Sequence, residues 1–278
     1  MRPTPDIHWS APVPAADCGT GVLVLAGSSG RLDTGRADLL AARGATAVAL
    51  RWFGGQGQPA QPCEVPLETF AGALDRLAAS CRRVAALGTS YGAEAALLLA
   101  CHDERIDAVV ALAPTDVVWE GARESDDDPP RTKWTLRGEP VPFVPLDRTW
   151  TPPPDPAFVE VYERSRARAA PEAVAAATLP VERIGGDVVL VAGGDDRVWD
   201  SEGQARRIAA RRAAAGLATT VVVDPAAGHP VVLPGEEAPD LRRPYQVGGD
   251  AGAPQRLGAL AWPAIADALR LARRRPAA

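Results

Sequence analysis

Three residues far apart in the chain are of the types that together perform nucleophilic acyl transfer. Ser90 stands in Gly88-Thr89-Ser90-Tyr91-Gly92, inside the stretch VAALGTSYGAEAALLLA (84–100). An apolar run enters that Gly-x-Ser-x-Gly turn and a run of helix formers leaves it. A serine on a sharp strand-to-helix turn has its hydroxyl held out above the sheet, with the following backbone N–H aimed where an oxyanion forms. A serine hydroxyl needs a base. Of the three histidines, His8 lies in the N-terminal arm ahead of the predicted strands, and His102 ends the helix after the turn. His229, in VVVDPAAGHPV, follows a predicted strand and so belongs to the same carboxyl edge as Ser90.

The base in turn needs an orienting carboxylate. VAGGDDRVWD offers Asp195, Asp196 and Asp200 at that edge. Asp196 is the preferred acid and Asp195 the runner-up; the alternative role for the others is capping the helix that starts near SEGQARR. The order Ser…Asp…His is that of an α/β-hydrolase. The second oxyanion donor is expected from LAGSSGRL, after the first strand: Gly27 permits close approach, and the backbone N–H of Ser28 is preferred to that of Ser29. With the N–H of Tyr91, this makes a two-donor hole.

The elements that must position these groups are legible as alternation. TGVLVLAG, ATAVALRW, RRVAALG, IDAVVALAP, GDVVLVAGG and LATTVVVD read as about six strands, separated by helical patterns. Strands apolar on both faces imply a mostly parallel sheet with helices on both sides. The last helical pattern contains Pro263, which should kink it or mark its start. Residues 115–180 break the rhythm. They carry ESDDDPP and GEPVPFVPLDRTWTPPPDPAF, and are read as a Pro-rich lid insertion on one domain spanning 1–278. Trp119, Trp134, Phe143, Trp150 and Phe158 within it argue for packing rather than disorder.

Composition removes other classes. Net charge is −5 and pI about 5.3, against a nucleic-acid binder or an anionic membrane surface as partner. No apolar run approaches the roughly 20 residues of a bilayer span, and the N-terminus lacks an apolar signal region. Cys18, Cys63, Cys81 and Cys101 have no CxxC or zinc spacing. The expectation is a cytoplasmic protein with neither metal nor cofactor, open to oligomerisation. Arg206, Arg207, Arg211 and Arg212 on one helical pattern suit an anionic ligand such as coenzyme A, but a solvated helix face accounts for them more simply.

With these motifs placed, the chain resembles the C-terminal catalytic domain of the acyl-CoA thioesterase / bile-acid amino-acid N-acyltransferase family, an α/β-hydrolase of dienelactone-hydrolase type. The matching pieces are VLAGSSGRLDTGRADLLAARGATAVALRWFG, ALGTSYGAEAALLLA, WTLRGEPVPFVPL, LPVERIGGDVVLVAGGDDRVWDSE and DPAAGHPVVLP. The resemblance implies Ser90, Asp196 and His229 as the triad and an acyl thioester, on coenzyme A or a carrier protein, as substrate. Full-length animal members carry an N-terminal β-sandwich; here the first predicted strand begins near residue 21, so that sandwich and the first strands of a complete hydrolase sheet are expected to be absent. The amidating branch has Cys as nucleophile and the hydrolysing branch has Ser. Ser90 therefore points to thioester hydrolysis, with acyl transfer to an amine or alcohol as the alternative. A carboxylesterase, a peptidase and a non-catalytic binding protein on the same fold rank lower.

Overall fold

The computed structural model describes residues 6–125, 127–237 and 243–271. Seven strands form the main sheet: β1 (Ile7–Ser10), β2 (Thr20–Leu25), β3 (Thr46–Leu50), β5 (Arg83–Thr89), β6 (Ile106–Leu112), β9 (Asp187–Gly193) and β10 (Thr220–Asp224). A smaller three-stranded sheet is made of β4 (Val65–Pro66), β7 (Trp134–Leu136) and β8 (Glu139–Pro140). The helices are α1 (Thr34–Ala41), α2 (Ala71–Ser80), α3 (Tyr91–Ala100), α4 (Val159–Arg168), α5 (Pro171–Ala177), α6 (Ser201–Ala214) and α7 (Ala253–Ala268). The main sheet has the order β1-β3-β2-β5-β6-β9-β10. Every neighbouring pair is parallel except β1 with β3.

The central strands β2 and β5 are almost wholly buried, as their unbroken apolar runs require. One face of the sheet packs Leu23, Ala86, Val109 and Leu190 against α2, α3 and α6. The other packs Val22, Leu87, Val110 and Val191 against α1 and α7. Parallel connections bring the carboxyl ends of β2, β5, β9 and β10 to one edge, and the loops leaving those ends carry every candidate catalytic group.

One expectation needs correction, and one of two alternatives for Pro263 is removed. The sheet begins before residue 21: β1 is a seventh, antiparallel edge strand, and His8 lies in it rather than in an arm ahead of the strands. His8 Nε2 is 2.7 Å from Asp38 Oδ1 on α1 and 3.0 Å from Ser10 Oγ. IHWS is only four residues long, too few for its apolar–polar alternation to stand out as a strand. Pro263 does not start the last helix; α7 begins ten residues earlier, at Ala253, and runs through it. The buried stripe Leu257, Ala261 and Ile265 offsets the backbone bond that proline removes.

Residues 115–180 are not a loop. They hold β7, β8, α4 and α5, and Trp134 from this stretch is fully buried against Trp52 (centroids 4.8 Å apart) and Phe70 (6.3 Å). Trp119 and Tyr162 pack edge-to-face at 4.8 Å in a further apolar cluster with Val117, Val144 and Trp199.

Candidate active site

The turn between β5 and α3 has the strained geometry its sequence implies. Ser90 sits at φ 57°, ψ −120°, outside the regions open to most L-residues. Such a conformation costs about 1–3 kcal/mol and survives only where the surroundings dictate it. They do: the Ser90 N–H donates to Leu112 O at 2.8 Å, and the Ser90 carbonyl accepts from Ala93 and Glu94 at 2.8 and 3.1 Å. A Cβ on Gly92 would lie 2.3 Å from Leu25 O, and one on Gly88 1.9 Å from Gly92 O. The glycines are therefore demanded by close backbone approach. Gly27 has the same cause, since its Cβ would fall 3.0 Å from Thr89 O and 3.1 Å from Ser90 Cβ. That contact sets the Ser28 loop beside the Ser90 side chain. Among the described residues, neither the Ser28 nor the Tyr91 N–H donates to a protein acceptor.

His229 enters from the loop after β10, its N–H donating to Val247 O at 2.7 Å. Its Nδ1 lies 2.8 Å from Asp196 Oδ2 and 3.1 Å from Oδ1. Asp196 Oδ1 also accepts from the Val198 and Trp199 N–H groups at 2.8 and 3.2 Å. The carboxylate is thus buried, fixed by its own loop and turned onto the imidazole. The ring of Trp199 meets that of His229 edge-on at 5.6 Å. Asp195 is engaged elsewhere: it pairs with Arg197 at 2.7 Å and accepts from Gly249 N at 2.9 Å. Asp200 caps α6 by accepting from Gly203 N at 2.8 Å. Ser90 and His229 line one cavity together, although no hydrogen bond joins their side chains among the described residues. His102 is exposed behind α3.

The four arginines of α6 are all engaged internally. Arg206 pairs with Glu202, Arg207 with Asp116 and Arg211 with Glu182. Arg212 departs from a solvated-face reading: it is buried and donates to the carbonyls of Val181, Ile184, Gly186 and Ala218. The four cysteines are free, and burial pushes the Cys101 thiol up to about 12. Among the described residues, no group of three or more His, Cys, Asp or Glu is placed to hold a metal ion, and no helix is long and apolar enough to cross a membrane.

Two ion pairs, one fully and one partly buried, went unread in the sequence. Lys133, just before β7, reaches Glu94 on α3 at 3.0 and 3.1 Å, with both side chains fully buried. Trp134 Nε1 donates to the same carboxylate at 2.7 Å. Lys133 Nζ also sits 3.6 Å over the ring of Tyr91, whose hydroxyl lies 3.0 Å from that of Tyr162 on α4. Burial raises the pKa of Glu94, opposed by Lys133 and Trp134. Burial, then the neighbouring Tyr91, raises that of Tyr162. The signals were there: Lys133 is the one lysine of an arginine-rich chain, and Glu94 is the one charge in α3. The second pair joins Arg36 of α1 to Glu236, seven residues beyond His229, with Nη2–Oε2 at 2.9 Å. Arg36 Nη1 donates to Thr89 Oγ1 at 2.6 Å, next to Ser90.

A mostly parallel sheet covered on both faces, a strained Gly-x-Ser-x-Gly turn after its central strand, and an Asp–His pair after later strands define an α/β-hydrolase. A puromycin-hydrolysing peptidase of Mycobacterium tuberculosis shares this fold with TM-score 0.53 at 14% identity, over 79% of this chain and 33% of that one. A Klebsiella pneumoniae protein described as a putative dienelactone hydrolase aligns over 94% of this chain and 88% of its own, with 16% identity and TM-score 0.48. Within that class the assignment narrows. Residues 65–237 match the family model described as BAAT / Acyl-CoA thioester hydrolase C terminal, and the chain belongs to that family of acyl-thioester hydrolases and acyltransferases. Acyl-coenzyme A amino acid N-acyltransferase 2 of Mus musculus is 26% identical over 83% of this chain and 54% of its own length. Acyl-coenzyme A amino acid N-acyltransferase 1 of the same organism shows the same identity and coverage. The chain spans about half the length of these relatives.

Proposed function

We propose that this chain hydrolyses acyl thioesters through an acyl-enzyme on Ser90. The observation that carries the reading is the 2.8 Å contact between His229 Nδ1 and Asp196, beside a serine held at positive φ in the same cavity. Asp196 fixes the tautomer in which Nδ1 carries its proton and Nε2 is free to accept one. As Ser90 Oγ attacks the thioester carbonyl carbon, its proton passes to His229 Nε2. The oxyanion lies between the N–H groups of Ser28 and Tyr91, the latter at the positive end of α3. The tetrahedral intermediate collapses, the C–S bond breaks, and His229 returns its proton to the departing sulfur. Water then attacks the ester on Ser90 while giving a proton to His229, and that proton restores the serine hydroxyl as the acid leaves.

Trapping with an acyl-CoA and weighing the intact protein tests the reading. The wild type should gain one acyl group, and Ser90→Ala none. Undiminished turnover by Ser90→Ala would end the proposal. The family match and the names of the mouse relatives favour a second reading, in which an amine resolves the same acyl-enzyme. Product analysis with an amino acid present separates the two: free acid supports hydrolysis, and N-acyl amino acid supports transfer.

A further inference from the structure

Ser90 lies between two cavities, and His229 lines only one of them. The first, of about 770 Å³, is bordered by Ser90, Tyr91, Trp150, Phe158, Tyr162 and Tyr245. The second, of about 860 Å³, is bordered by Ser90, His229, Arg31, Arg36, Glu236 and Glu237 among others. Ser28, Val198 and Tyr245 contribute to both. The imidazole that takes the Ser90 proton must hand it to the departing sulfur, so the leaving group has to lie on the imidazole's side. The acyl group is then left with the cavity His229 does not border.

That cavity is walled by rings. Trp150 and Phe158 meet at 5.7 Å, and Phe158 and Tyr245 edge-to-face at 5.3 Å. All three are only partly buried and so keep ring surface for a ligand. The charged side chains bordering it are already engaged. Asp147 takes Arg164 at 2.9 Å and Arg168 at 2.8 Å, Arg123 pairs with Glu120 at 3.0 Å, and Arg148 donates to Asp128 O at 2.9 Å. The His229 cavity is bordered by more charged side chains, of both signs, among them Arg31, Asp33, Arg36, Glu236 and Glu237, which suits a polar carrier better than a hydrocarbon.

We infer that the thiol carrier occupies the His229 cavity, and that the cavity walled by Trp150, Phe158 and Tyr245 takes an aryl acyl group in preference to a straight chain of equal carbon count. This deepens the thioester reading and rests on it. Aromatic rings pack edge-to-face against such walls, and a rigid ring loses fewer torsions than an alkyl chain when it is bound.

The experiment measures kcat/KM for phenylacetyl and octanoyl thioesters, each on coenzyme A and on N-acetylcysteamine. The wild type should favour phenylacetyl on both carriers. Phe158→Ala should lower the phenylacetyl-to-octanoyl ratio about two- to tenfold, by the same factor on either carrier. Phe158→Leu, which keeps bulk without a ring, should do the same and covers the case of a poorly folded alanine variant. Arg31→Ala, in the other cavity, should leave that ratio alone. Equal or better octanoyl turnover by the wild type overturns the aryl preference. A Phe158 variant that alters the ratio between carriers and not between acyl groups overturns the orientation. Intact mass keeps the two levels apart: no acylated Ser90 with any thioester sinks the hydrolase reading, whereas acylated Ser90 with a reversed preference sinks only this inference.

Discussion

Asp195 and Asp196 are neighbours in sequence with different duties, and the difference is measurable. Asp196 turns its carboxylate onto His229 Nδ1, whereas Asp195 is committed to Arg197 and the Gly249 N–H. Asp196→Asn presents an amide to Nδ1 and favours the wrong tautomer, which in comparable triads costs about 10⁴ in kcat. Asp195→Asn keeps one acceptor for Gly249 and should cost less than about tenfold. Steady-state kinetics on both variants decides the matter; a larger loss for Asp195→Asn would transfer the orienting role to it. At this scale the sequence was most readable where the geometry of the candidate site is written locally. The turn around Ser90 is five consecutive residues, and His229 follows a strand. Arg36 and Glu236 were unreadable because 200 residues separate them and either alone is an ordinary surface type.

At the scale of elements, Lys133 and Glu94 bolt the 115–180 stretch to α3, the helix that follows the Ser90 turn. Removing one partner from a buried pair leaves the other charge uncompensated, at a cost of about 3–5 kcal/mol. Lys133→Met should therefore lower Tm strongly, and Lys133→Met/Glu94→Gln should recover much of the loss because the amide carries no charge. The pH dependence has a definite sign. Burial already holds the Glu94 pKa above its ordinary value, and loss of the ammonium pushes it further up. Above the unfolded pKa the folded variant then binds more protons than the unfolded chain, so its stability rises as pH falls through the folded pKa. Thermal melts of Lys133→Met between neutral and mildly acidic pH should show a narrowing gap to the wild type. A gap that widens on acidification would contradict the assignment. The strands of the main sheet were legible because their apolar runs are buried on both faces. β1 was not, because an antiparallel edge strand pairs on one side only and needs no such run.

On the scale of the whole molecule, residues 115–180 pack against the main sheet and α3. Trp134 lies in the same apolar cluster as Leu23 and Leu25 of β2 and Leu97 of α3, and Val118 belongs there too. α4 hydrogen-bonds to the acid loop through Val159 N and Arg197 O at 3.0 Å, and Gln246 N ties the Tyr245 segment to Pro156 O at 3.0 Å. The aromatics predicted that this stretch would pack, but not that it would share a core with the sheet, because burial against Trp52 and Phe70 depends on the tertiary fold. The consequence is cooperative unfolding. Three of the seven tryptophans, Trp119, Trp134 and Trp150, lie in the stretch, so fluorescence is weighted toward it, while far-ultraviolet circular dichroism follows the helices and the sheet. The two melting curves should coincide. Trp134→Ala, which opens a cavity in the common core and leaves Glu94 short of a donor, costs about 3–5 kcal/mol and should shift both curves down together. A fluorescence transition that precedes loss of the circular dichroism signal would show the stretch unfolding separately, and would detach Trp150 and Phe158 from the rigid framework that the proposed acyl selection at Ser90 requires.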